Sequence, residues 1–543
     1  MQKLFCHGKI FTADRRQLFV QAMLIDDGII TWIGSDEEAG RIKANDSLQD
    51  DLMQIDLQGR TVIPGFVDAH LHPMMLAECS KQIACLPPKI NSIEELIQTI
   101  ADVRDELQHS EGDGTLPWIC GWGYDEGKYT EKRMPNRYDL DRGAQDVPVF
   151  LTRSCEHVRS VNSKALEIAG ITRDTQDPPG GIIDRDDHGE PTGILWDSAR
   201  DLMIPYMPKE SEESILSALL DLSKLLSSQG IVAVGDMGNL HPGGNYEQFK
   251  LAEKHGFSQR VALYYMWDYF YDDPDFKITP GQRDPSARIR IAGLKLIGDG
   301  SISGRTAWLN EPYAGTEENG LSVYSDELLE SAVRFVREQG CQLAVHAMGG
   351  RAIDRIIDRI ERETKWVSGS KPALRVEHVT EPSERAIAKA AKNDFAFVSQ
   401  PIFEYCEIES YQKNLGSERV PKLYPFRTML QHGVKLAFSS DAPATSWAQP
   451  SDPFVNLKSA VTRRAYDGTD IGQSERLDIE TAIILYTKEA AEVCGFEDLG
   501  RLIPGYSADF IILNEDIFLI DPDRIDEVSP EETWICGEPV FRA

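Results

Sequence analysis

The chain has 543 residues, 41% of them hydrophobic and 27% charged, a composition that fits globular domains and excludes a disordered or fibrous chain. Its 57 basic and 88 acidic residues leave a net charge of −31, which argues against nucleic acid or an anionic membrane as partner, since both are bound through basic patches. Nine cysteines, scattered and without Cys-X-X-Cys spacing, fit thiols in a reducing compartment. No leader-like start and no apolar run near the roughly 18 residues of a membrane span is read, so the expected location is cytoplasmic.

Residues 1–60 alternate short apolar runs with turns, and Asp27-Gly28 between two such runs is a hairpin signal. Runs at 508–513 and 532–537 read the same way. Neither end has enough strands to stand alone, so 1–60 and 491–543 are expected to join in one small β-sandwich. Between them, strands at 61–67, 231–236, 260–266, 291–297, 341–346, 373–378, 395–400 and 434–440 alternate with helical patterns. That pattern predicts an α/β fold, a (β/α)8 TIM-like barrel over 61–490. The stretch 73–230 is too long for one crossover and must hold an inserted subdomain, with helices near 93–107 and 212–228. Its Gly- and Trp-rich segment 118–124 and the Pro178-Pro179-Gly180-Gly181 turn are expected as loops over the barrel mouth.

The first barrel strand ends in Asp68-Ala69-His70-Leu71-His72. Residues two apart on a strand share a face, so Asp68, His70 and His72 point one way, and paired imidazoles suit zinc, iron or manganese. Barrel enzymes carry their chemistry at strand C-termini. His346, His378 and Asp441 end the fifth, sixth and eighth predicted strands, and Lys295 lies in the fourth. Arg305 follows the fourth strand and could hold a substrate carboxylate or oxyanion through its planar fork. Trp122, Tyr124 and His157, in the insertion, are expected to wall the substrate pocket. Ser439-Ser440 has no nucleophile elbow around it, and Gly298-Asp299-Gly300-Ser301 lacks the spacing of a phosphate loop.

These segments resemble the amidohydrolase superfamily, and within it the YtcJ-like branch, which includes N-substituted formamide deformylases. The resemblance covers nearly the whole chain. It rests on Pro64 through His72, Gly121 through Glu126, Val161 through Leu166, Gly189 through Leu195, Lys295 through Thr306, Val345 through Gly349, Arg375 through His378, and Ser440-Asp441. It implies that His70, His72, His346, His378 and Asp441 hold one or two divalent ions, zinc by preference, and that Lys295 is carboxylated on its side-chain nitrogen and bridges two metals. The chemistry is consistent, because a buried Lys loses its proton readily and the neutral amine can add CO2.

The branch usually has Asp where this chain has Gly350, after His346-Ala347-Met348-Gly349. The expected activity is hydrolysis of a carbon–nitrogen bond of amide, N-acyl or formamide type by metal-bound hydroxide. Asp441 would move the proton, and His378 and Arg305 would help hold the oxyanion. Ester or carbamate hydrolysis, deamination and phosphotriester hydrolysis are the alternatives on the same fold, and a non-catalytic scaffold is a more remote one. The expected partner is a small-molecule substrate; self-association into a homo-oligomer stays open.

Overall fold

In the computed structural model, which describes residues 2–43, 52–109, 117–154, 158–208, 211–238 and 244–543, Gly65 divides the first apolar run between two sheets. Thr61–Pro64 joins a six-stranded sheet, and Phe66–Leu71 opens the barrel. A side chain at Gly65 would collide with Val232, so the crossing from one sheet to the other requires a glycine.

The six-stranded sheet runs in the order Glu538–Arg542, Pro530–Ile535, Phe510–Leu513, Thr61–Pro64, Lys9–Phe11 and Phe19–Val20. A four-stranded sheet runs Ile29–Gly34, Ala22–Asp26, Gln2–Cys6 and Leu52–Asp56. Both chain ends thus contribute strands, and one apolar cluster takes Phe5, Ile25 and Val62 from one end and Leu502, Phe510 and Trp534 from the other. The Phe5 ring lies 5.2 Å from the rings of both Phe510 and Trp534, edge-on to each. The hairpin turn at Asp27-Gly28 has positive φ at both residues (48° and 78°), as a two-residue turn between twisted strands requires.

Eight parallel strands form the barrel: β1 (Phe66–Leu71), β2 (Ile231–Asp236), β3 (Arg260–Met266), β4 (Ile289–Ile297), β5 (Gln342–Ala347), β6 (Leu374–His378), β7 (Ala396–Ser399) and β8 (Lys435–Phe438). Seven parallel ladders join neighbours in sequence order. The seam between β8 and β1 is closed just past the strand ends, where Asp441 N donates to His70 O at 2.8 Å and His72 N to Ala442 O at 2.9 Å. Alanines line much of the interior, among them Ala69, Ala233, Ala262, Ala344, Ala396 and Ala437. These small side chains leave room for larger polar ones.

The chain divides into two units. The sheets and barrel above belong to Met1–Met74, Leu219–Ala442 and Ser451–Ala543, and the second unit is Met75–Ala218 with Pro443–Pro450. The second unit has its own six-stranded sheet, in the order Gly181–Arg185, Pro191–Asp197, Val158–Val161, Val149–Arg153, Ile119–Tyr124 and Ile83–Ala84. The segment expected as a loop at 118–124 is therefore mostly strand. Gly121 is there because a side chain would meet Leu151 and the Ile83 carbonyl on the neighbouring strands. Among the described residues no helix is long and apolar enough to cross a membrane.

Candidate metal centre

Asp68 is the anchor of the seam. Its Oδ1 accepts from His70 N at 3.2 Å and Ser440 N at 3.1 Å, and its Oδ2 accepts from Tyr486 Oη at 3.1 Å. Burial pushes its carboxyl up to about 7, against these donors. Asp68 thus fixes the backbone on both sides of the seam, and His70 and Asp441 hang from that backbone.

His70 and His72 each have one ring nitrogen committed. His70 Nδ1 lies 2.7 Å from Glu377 Oε2, and His72 Nδ1 lies 2.9 Å from Gly238 O. A carbonyl oxygen only accepts, so His72 Nδ1 carries the hydrogen, and the ionised Glu377 assigns the same tautomer to His70. Each ring then turns a lone pair on Nε2 toward Asp441 Oδ1, at 3.1 Å in both cases. Neither approach has hydrogen-bond geometry, and Asp441 Oδ1 is a buried oxygen without a hydrogen-bond donor. Two lone pairs and a carboxylate oxygen converging in a buried space fit a shared cation.

His378 brings a third imidazole. In a regular strand it would point away from the face that carries Glu377. Its backbone instead has φ of 76°, and Val379 follows at 52°, conformations that non-glycine residues adopt at a cost. The turn carries the His378 ring to 4.8 Å from that of His70 and 4.3 Å from that of His346. His378 Nδ1 lies 2.9 Å from Gln400 Oε1, and Phe403 stacks on the ring at 5.7 Å. Asp441 also has positive φ, 58°. Ligand atoms of His70, His378 and Asp441 come within 4.8 Å of one another.

His346 lies beside them on β5. Its Nε2 donates to Gly300 O at 3.0 Å, which leaves Nδ1 as the lone pair. Burial and then the Lys295 charge push its pKa down to about 4, and burial and then His346 hold His378 well below the usual histidine range. Lys295 is buried on β4, and burial brings its amine down to about 8 against the attraction of Glu377 and Asp441. Burial alone would raise the Asp441 carboxyl. His70, His72 and His378 outweigh it and hold Asp441 well below the usual carboxylate range. For His72, burial opposes the charged form, but Asp441 outweighs it and raises the pKa. A metal ion and a proton therefore compete for the same nitrogens.

A family model described as the amidohydrolase family matches residues 54–541. The chain belongs to the amidohydrolase family. It is 30% identical to YtcJ of Bacillus subtilis (strain 168), named as an amidohydrolase, over 100% of this chain and 99% of that protein. It is 26% identical to the N-substituted formamide deformylase of Arthrobacter pascens, over 98% of this chain and 97% of the enzyme. Among solved structures it is similar to an uncharacterized metal-dependent hydrolase from Pyrococcus horikoshii OT3, with a TM-score of 0.73 and 26% identity over 96% of this chain and 99% of that one.

Of the residues singled out in the sequence, His70, His72, His346, His378, Asp441 and Lys295 gather at one end of the amidohydrolase barrel. Arg305 lies in the loop after β4. It has φ of 58°, its guanidinium is 5.6 Å from the Tyr313 ring, and its nearest carboxylate is Glu318 at 4.0 Å. Trp122 is buried with Leu86 and Ala448. Tyr124 is wholly buried in its unit's core and accepts a hydrogen bond from Ser160 Oγ at 2.9 Å. Both side chains are buried in the packing of their own unit. His157 lies outside the described residues.

Three groups escaped the sequence reading. Arg375 and Glu377 form a wholly buried ion pair, with Nε 2.7 Å from Oε1. Asp299, set aside with the Gly-rich segment, accepts backbone N–H bonds from Met348, Gly349 and Trp308 at 2.8–2.9 Å and is pushed up to about 6 by burial. It thereby ties the loop after β4 to the start of the helix Gly350–Ile360. At Gly350 itself, a Cβ would meet the Asn310 side-chain amide and approach the Glu381 carbonyl.

Proposed function

We propose that this chain is a metal-dependent hydrolase cleaving a carbon–nitrogen bond of amide, N-acyl or formamide type. The observation that carries the reading is the convergence of the His70 and His72 lone pairs on the donor-free Asp441 Oδ1. His70, His72, His346, His378 and Asp441, with Lys295, are the proposed ligands of one or two divalent ions, and the His and carboxylate donor set favours zinc. Such an ion polarises a carbonyl and makes water nucleophilic near neutral pH. Lys295 contributes as a carbamate: its neutral amine nitrogen bonds to the carbon of CO2 and releases a proton. Asp441 takes a proton from the attacking water and returns it to the leaving nitrogen, the ion that His378 helps to hold would supply positive charge for the developing oxyanion, and Arg305 would supply a donor.

Within this reading, residues 1–60 and 491–543 form the β-sandwich, and 61–490 is the catalytic barrel with its insertion at 73–230. The partner is a small-molecule substrate. Cys85, Cys341, Cys494 and Cys536 carry free thiols, in keeping with a cytoplasmic location.

The test is elemental analysis of the purified protein, followed by chelation, zinc replacement and assay on amide, ester, aminopurine and phosphotriester substrates. We expect bound metal, loss of turnover on chelation, recovery with zinc, and preference for the amide or formamide. Undiminished turnover by metal-free protein would overturn the reading, and preference for another substrate class would reassign the bond that is cut.

A further inference from the structure

A line of polar side chains climbs through the barrel interior from the first residue of β5 to His70. Gln342 Nε2 donates to Pro372 O at 2.9 Å and Val493 O at 3.0 Å. Tyr264 Oη, on β3, donates to Gln342 Oε1 at 2.8 Å and accepts from Arg375 Nη1 at 3.0 Å. Arg375 Nε donates to Glu377 Oε1 at 2.7 Å, and its Nη2 donates to Glu377 Oε2 at 3.1 Å and to Ala69 O at 2.6 Å. Glu377 Oε2 receives the His70 Nδ1 hydrogen at 2.7 Å. None of Tyr264, Gln342, Arg375 and Glu377 is more than 1% exposed.

Burying a charged pair and two polar side chains in a barrel core costs more than packing it with apolar groups, and the alanine-lined interior would have accommodated larger apolar residues. What the line gains is a fixed orientation. Tyr264 Oη both donates and accepts, Gln342 uses both ends of its amide, and both Glu377 oxygens are engaged. Turning any one member leaves a buried polar atom unpaired, at a cost of about 1–3 kcal/mol. The Glu377 carboxylate therefore has one orientation, and with it His70 has one tautomer and one direction for its Nε2 lone pair.

We propose that Tyr264, Gln342 and Arg375 are positioning residues that set the metal affinity of His70 through Glu377. The proposal rests on the reading of His70 as a metal ligand. A purely structural role would alter the stability of the fold and leave metal affinity as it is, so affinity is the quantity to measure. Tyr264→Phe keeps the ring and removes only the hydroxyl. The measurements are the zinc dissociation constant by competition with a chromogenic chelator, the electronic spectrum of the cobalt-substituted protein, and the unfolding midpoint of the metal-free protein.

We expect Tyr264→Phe to weaken zinc binding about 10-fold and to shift the cobalt spectrum. Gln342→Met, one link further from the metal, should weaken zinc binding in the same direction by less, and it serves as the test if Tyr264→Phe does not fold. Wild-type zinc affinity and cobalt spectrum in the folded variants, with only a lowered midpoint, would overturn the proposal while the metal reading stands. A wild-type protein that binds no zinc would overturn both.

Discussion

Arg375–Glu377 and Arg463–Glu404 are both wholly buried arginine–glutamate pairs, yet their carboxyl groups move in opposite directions. In the first, both Glu377 oxygens are bonded, by Arg375 and by His70. Burial alone would raise this carboxyl, but the Arg375 charge outweighs it and holds Glu377 well below the usual range. In the second, a single contact of 3.1 Å joins Arg463 Nη2 to Glu404 Oε2, while Glu404 Oε1 and Arg463 Nη1 have no hydrogen-bond partner. Burial wins there and pushes Glu404 up to about 8. Depth is the same in the two cases; the number of donors reaching the carboxylate decides whether it keeps its charge. The pair beside His70 is the ionised one.

The sharpest way to break this comparison is to neutralise each glutamate. Glu377→Gln strands Arg375 in the barrel and should cost ~3–5 kcal/mol, read as a fall in the urea midpoint at constant slope. It should also lower zinc affinity by about 10- to 100-fold, measured by chelator competition. A loss under 1 kcal/mol would mean that the Arg375–Glu377 pair is no better satisfied than the other.

Lys295 sharpens the first half of the comparison, because Glu377 and Asp441 are the charges that most attract it. Lys295→Ala should reduce bound metal to below two per chain and cut turnover by orders of magnitude. Lys295→Arg should not restore either, since a guanidinium stays charged and cannot take up CO2. Full metal content in Lys295→Ala, by elemental analysis, would remove the lysine from the site.

The smallest effect is expected at Glu404. Folded Glu404 keeps its proton up to about pH 8, whereas the ordinary value for the unfolded chain is 4.5. Between those limits the folded state binds more protons than the unfolded one, so this group's contribution to stability is lost as pH rises through the window. Glu404→Gln mimics the protonated acid. Near pH 5 it should lie within ~1 kcal/mol of wild type, and toward pH 8 it should be the more stable of the two. Parallel stability–pH curves for the two proteins would show that Glu404 is ionised in the fold.

The barrel was legible because each of its strands is a short apolar run between helical patterns. β2 and β3 fall at the residues expected, and β4 to β8 shift by a residue or two at their ends, but most of the run expected as the first strand, Thr61–Pro64, lies in another sheet, and the barrel strand begins only at Phe66. The histidines were legible from their places at strand ends. Arg375 and Glu377 were not, although they alternate with Leu374 and Val376 as inward-facing residues must. A charged residue in a strand shows its burial only when the sheet closes around it. The positive φ values at His378 and Asp441 leave no mark in composition, and they are what swings those side chains into the site. The second unit's sheet was missed because Gly121-Trp122-Gly123 has the look of a loop; its glycine serves close approach between strands.

The seam at Asp68 bears on when the site comes into being. Ser440 N reaches Asp68 Oδ1 across 372 residues of sequence, and the groups that meet there are the first and last strands of the barrel. Loop-closure entropy makes such distant contacts late ones during folding. His70 and Asp441 are therefore strangers until the rest of the barrel has formed, and an incompletely folded chain would offer an ion only fragments of the proposed ligand set. In this protein, tight retention of a metal ion would be a readout of finished folding.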